Sequence, residues 1–184
     1  MPEHRATRRK AVYVAASVTA VVVAVALAAT SAPSSPGRIA DGPFGPSGTR
    51  SVNAECIPIS GRIITYGFEG VRNTGSSAAT VQKIGYLHPF HLRVLEAFVV
   101  PVHGALHGGQ NGYPPRSMLA ERSRTVRPAR SNAIDDYVNV ILVTRLTGET
   151  GHANAVYVDY KENGVQYYYR TITSLTLKRG GKCT

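Results

Sequence analysis

The sequence predicts an all-β fold: a two-sheet β-sandwich of about seven strands over residues 55–184, preceded by one N-terminal transmembrane or signal helix. Three observations predict it. Apolar residues alternate with period two along much of the chain beyond residue 55. Turn-forming clusters, Asn73-Thr74-Gly75-Ser76-Ser77 and Asn163-Gly164, interrupt that alternation. Ahead of it, residues 11–32 form a long uncharged run.

Residues 1–10 carry Arg5, Arg8, Arg9 and Lys10 against a single acid, Glu3, and read as a basic cytoplasmic n-region. Residues 11–32, AVYVAASVTAVVVAVALAATSA, hold no charge over 22 positions. A helix needs about 20 apolar residues to cross the hydrocarbon core, so the run reads as a transmembrane anchor. A second reading stays open: Ala26-Leu27-Ala28 offers an A-x-A cleavage site, which makes the run a signal peptide. Both readings export the C-terminal part of the chain. The expected location is the cell membrane, single-pass with the C-terminal domain extracytoplasmic, or secreted if the signal is cleaved. Residues 33–54 are rich in Pro, Gly and Ser and are expected to form a flexible tether that buries little.

In the folded part, Ile64, Tyr66 and Phe68 are expected on one face of a strand, with Thr65 and Glu69 on the other. Asn73 to Ser77 then supplies a turn, with Gly75 available for positive φ and Asn73 able to bond its own backbone. Thr80 to Ile84 restarts a strand. Leu92–Val102 mixes helix-forming Leu, Glu and Ala with four valines, and Pro101 argues against a central strand. Tyr137–Leu146, with its continuous apolar centre, is the best candidate for a buried central strand. Asn163-Gly164 joins two strands as a hairpin, with Val156, Val158 and Tyr160 on one side of the first. In the second, Tyr167, Tyr169 and Thr171 share a face, opposite Gln166, Tyr168 and Arg170. No helix is expected beyond residue 32.

The stretch Val71 to Val81 fits the pattern V-x-N-T-G-S-x-x-x-x-V. It resembles the first hairpin of bacterial immunoglobulin-like modules. The chain as a whole is similar to single-pass exported proteins of Arg-rich bacterial proteomes, with this hairpin early and a Cys at the C-terminus. The resemblance implies an immunoglobulin-like β-sandwich and no particular activity.

Cys56 and Cys183 are the two cysteines, and an exported chain meets oxidising conditions. A bridge between them would close a loop spanning 127 residues and tie the first strand to the last. Four histidines, His88, His91, His103 and His107, fall within 20 residues, as H-x-x-H and H-x-x-x-H. Imidazole suits copper or zinc, so they are candidate ligands. Pro89 and Gly104 disturb the helical spacing such pairs need, and polar loop positions are the simpler expectation. No cofactor is expected.

Arg116, Arg122, Arg124, Arg127 and Arg130 share one segment with a single acid, Glu121. They are candidates for contact with an anionic surface; the plainer reading is a solvated loop and edge strand. From Arg50 onward, 16 Lys and Arg face 9 Asp and Glu, a balance of +7 that favours anionic partners. Anionic cell-surface polymers or an unknown protein are the expected partners, with the membrane contacted through the N-terminal helix. Nucleic acid is excluded by the export signal. Asp135-Asp136 would point to opposite faces of a strand and so make no carboxylate dyad. No G-x-S-x-G or phosphate-cradling loop occurs. The expected function is a non-enzymatic, membrane-anchored extracytoplasmic binding or scaffolding module. The alternatives are a copper- or zinc-binding protein using the four histidines, and a hydrolase with an unrecognised site.

Overall fold

The computed structural model describes residues 41–45 and 53–183. The basic n-region, the apolar run 11–32 and most of the expected tether lie outside them. Among the described residues, no helix is long and apolar enough to cross a membrane.

The described chain is mostly strand, arranged in three sheets. One sheet has the order β4(Leu92–Pro101), β7(Val138–Leu146), β2(Ile63–Val71), β5(Gly108–Asn111). A second has β10(Val165–Arg170), β9(Ala155–Glu162), β3(Ala79–Leu87), β6(Thr125–Val126). The third is β1(Asn53–Ile59), β11(Thr173–Arg179), β8(Thr150–Ala153). The expectation of about seven strands is therefore low against eleven among the described residues. The additional ones include β5, β6 and β8, of two to four residues each, too short to show periodicity.

Strand β7 shows why its centre is continuously apolar. Val140 and Leu142 face the main core, while Ile141 and Val143 face a second cluster with Phe98, Val100 and Met118. Both faces are covered, so neither can be polar. Met118 comes from α1(Arg116–Ala120), a single turn where the sequence predicts no helix. Leu92–Val102 settles as strand, and β4 ends at Pro101 on the sheet edge, where a missing N–H costs no ladder bond.

In the main core, Tyr66, Val140 and Leu142 pack with Val81, Ile84, Tyr86, Val156, Val158 and Tyr160, and with Leu175 and Leu177 of the third sheet. The Tyr86 hydroxyl meets Thr144 Oγ1 at 2.8 Å across the two larger sheets, so this buried polar pair is satisfied.

The Asn163-Gly164 hairpin forms as expected. Both residues have positive φ, 48° and 83°, as the tightest hairpin turn requires. Tyr167 and Tyr169 pack on the core, and Tyr167 pairs with Tyr160 across the ladder. The Val71 to Val81 stretch behaves differently. β2 and β3 belong to different sheets, so the connection is an arch between sheets and not a hairpin. Asn73 is its anchor. Its Nδ2 donates to the carbonyls of Ser77 and Val126, and its Oδ1 accepts from the Gly75 N–H. Gly75 is not among the positive-φ glycines. A Cβ there would meet the Glu162 carboxylate, which would have to shift away from the turn.

Strict alternation also fails in β2. The ladder with β7 shifts between Tyr66 and Glu69, a bulge that turns Glu69 to the core side, opposite Val140. Fully buried Asn139 repairs the ladder by donating from Nδ2 to the Gly67 and Glu69 carbonyls. Glu69 then lies beside the Tyr66 hydroxyl, at 3.3 Å, and near Glu55 of β1. Burial, followed by the Glu55 charge, raises its carboxyl above the ordinary range, with hydrogen bonds from Thr173, Tyr66 and Thr171 pulling the other way.

Part of the expected tether belongs to the fold. Phe44 is only 6% exposed and stacks on Tyr160 with ring centroids 3.8 Å apart. Its N–H donates to the Tyr160 hydroxyl, and the Pro43 carbonyl accepts from both the N–H and the hydroxyl of Thr74. Pro/Gly/Ser content dominates residues 33–54, and the one aromatic within them carries the packing.

Strands β1 and β11 run parallel and pair from Asn53↔Thr173 to Ile59↔Arg179. Cys56 and Cys183 are bonded, with Cα atoms 5.6 Å apart. Gly180, at φ 63°, turns the tail after β11 back toward β1.

Candidate functional site

The segment from Glu121 to Arg130 staples two sheets together. Ser123 exchanges two backbone bonds with Val99 on the edge of β4. The next residues bond β3: the Arg124 carbonyl accepts from the Val81 N–H, and Thr125 and Val126 pair with Thr80 and Ala79. Ser123 Oγ donates to the Thr125 carbonyl and accepts from the Thr125 N–H, which holds the crossing rigid.

Because the segment must leave β4 to reach β3, it opens a cavity of about 530 Å³ beside the end of β4. Its apolar lining comes from Pro101, Pro128 and Val138, with the β4 backbone at Val99 and Val100 behind them, whose side chains are buried in the core. The charged lining is Arg127, Arg130, Glu121, Asp135 and Asp136, with Tyr137, and Arg130 lies close enough to Asp136 for its charge to act on that carboxyl. That volume lies in the range of small-molecule and peptide sites.

Each acid is already held. Asp135 Oδ1 accepts from the Gly104 N–H at 3.0 Å. Asp136 Oδ2 accepts from both the N–H and the hydroxyl of Ser131, which holds its carboxyl below the ordinary range, helped by the Arg130 charge. Glu121 Oε2 meets His103 Nε2 at 3.2 Å. Arg127, by contrast, has no ion pair among the described residues, and both it and Arg130 are exposed. Arg72 lies over the Tyr137 ring, 5.7 Å from its centroid, and bonds Ser131 and Asn132, which steadies the loop behind the aspartates.

The five arginines do not form one basic face. Arg122 pairs with Glu96 at 3.1 Å, and Arg124 donates to the Gln82 carbonyl; both border a smaller cavity on the other side of the Ser123 bridge. Arg116 starts α1. Only Arg127 and Arg130 reach the larger cavity. Asp135 and Asp136 do not lie on a strand; they sit in a 3-10 turn, Ile134–Asp136, and both line the same wall. A signal was present: Ser131-Asn132 ahead of two acids is the composition of a helical N-terminus.

The histidines separate into two places. His88 and His91 flank the β3–β4 turn, both at positive φ. His88 Nδ1 meets Asn154 Nδ2 at 3.2 Å, and His91 Nδ1 meets the Thr150 carbonyl at 3.2 Å. His103 pairs with Glu121, and the His107 N–H donates to Asn139. Among the described residues, no three His, Cys, Asp or Glu side chains come together as a metal site. The alternative of a copper or zinc cluster is therefore not assembled by these four residues.

Compared with known proteins, the chain matches no family model and no curated sequence.

Proposed function

We propose that this protein is a non-enzymatic binding module, an immunoglobulin-like sandwich carried outside a membrane by the apolar run 11–32, with the cavity beside β4 as its binding face. The observation that carries the reading is that cavity. It joins apolar contacts from Pro101, Pro128 and Val138 to charged groups on and beside a stapled segment, so affinity and orientation have separate sources. Its acids are held by N–H and hydroxyl donors and by an imidazole, an arrangement suited to static recognition. The Cys56–Cys183 bridge supports the extracytoplasmic placement, because such bonds persist in oxidising compartments.

Hydrogen exchange on the full chain, alone and after mixing with the envelope fraction of its cells, tests the reading. Protection gained in residues 121–138 is the expected result. Protection confined to other strands, or none, would refute the cavity as the binding face.

A further inference from the structure

The charge on the cavity rim selects among ligands. Two guanidinium groups, Arg127 and Arg130, share it with three carboxylates, Glu121, Asp135 and Asp136. A pure polyanion entering there meets at least as much repulsion as attraction, and like charges brought together in a partly desolvated site oppose binding. A pure cation meets the arginines. A ligand carrying both signs meets neither penalty.

We infer that the cavity takes a short zwitterionic peptide, with a carboxylate on Arg127, an ammonium on Asp135, and an aliphatic side chain against Pro101, Pro128 and Val138. This rests on the proposed binding role of the cavity and names its ligand class. Arginine's planar fork suits a carboxylate, and an ammonium is a compact partner for aspartate oxygens. Asp135 keeps capacity for it: its Oδ1 takes the Gly104 N–H, and its second oxygen can accept from an ammonium. Pro101, Pro128 and Val138 offer apolar contact to an aliphatic side chain, which favours a peptide with an aliphatic residue. A cavity of about 530 Å³ accommodates a few residues and not a folded partner.

Calorimetric titration of the full chain in detergent tests this with three probes: glycyl-alanyl-glutamate, its N-acetyl form, and glycyl-alanyl-glutamine amide. The first has both charges, the second lacks the ammonium, and the third lacks the carboxylates. Binding of the first is expected to exceed each of the others by about tenfold, the scale of one charge-assisted contact. Arg127→Gln is expected to remove the preference for the first over the third, and Asp135→Asn the preference for the first over the second. Retained melting temperatures would show that these exposed substitutions leave the fold intact. Equal binding of the first and second probes would overturn the zwitterion and leave the binding face standing. So would no binding of any probe alongside exchange protection in residues 121–138. No binding together with no protection would remove both.

Discussion

At the scale of single residues, Glu69 shows how a local irregularity sets chemistry. The β2 bulge turns its carboxyl inward, where burial and Glu55 raise it; Glu55 is raised by burial as well. A carboxyl whose folded value exceeds its free value of 4.5 binds protons more tightly in the folded state. Its destabilising cost is absent below pH 4.5 and grows as pH climbs through the folded value. Asp136 and Glu149, both lowered, act in the opposite sense and at lower pH. Between pH 4.5 and 7, the Glu69→Gln variant should therefore lose less stability than the natural chain. Urea midpoints at several pH values measure this; parallel curves for the two proteins would contradict it. The bulge was not legible in the sequence, since Ile64 to Glu69 alternates without a break. What ends the alternation is Asn139, 70 residues away, whose amide holds the bulge open.

At the scale of elements, two attachments hold the edges of the domain. Phe44 reaches the core from a segment with little other apolar content, stacking on Tyr160 and closing edge-on with Tyr169 at 6.5 Å. Phe44→Ala should cost about 3–5 kcal/mol, the usual range for emptying a buried aromatic site. Chemical denaturation reads this directly, and a loss below about 1 kcal/mol would show that the segment is not part of the cooperative unit. The bridge between Cys56 and Cys183 ties β1 to the tail of β11. Cys56→Ser should cost about 2–5 kcal/mol and leave one free thiol. An unchanged midpoint would mean that the parallel β1–β11 ladder holds the ends without it.

Elements with their own local chemistry were legible: the Asn-Gly hairpin, the doubly buried β7, and the cysteine pair at the two ends of the domain. Elements whose partners are remote were not. The Asn73–Ser77 turn reads as a hairpin, yet Asn73 bonds Val126 and sends β3 to another sheet. The short strands β5 and β8 contain Gly108, Gly109 and Gly151, and owe their pairing to neighbours and not to propensity.

At the scale of the whole molecule, the cavity is a product of topology. Its walls come from the end of β4, from the crossing segment Glu121–Arg130 and from the turn before β7. No window of sequence contains it, which is why the five arginines read as one basic stretch and the two aspartates as unrelated. The bonded cysteine pair and the charged cavity are the features on which the proposal of an extracytoplasmic binding module rests. Its central claim is that the domain lies outside the membrane with both cysteines bonded to each other. Labelling of intact spheroplasts with a membrane-impermeant maleimide, with and without prior reduction, tests both parts at once. The account expects no label before reduction and two labels per chain after it, on unbroken cells. Label without reduction, or label that requires lysis, would contradict it.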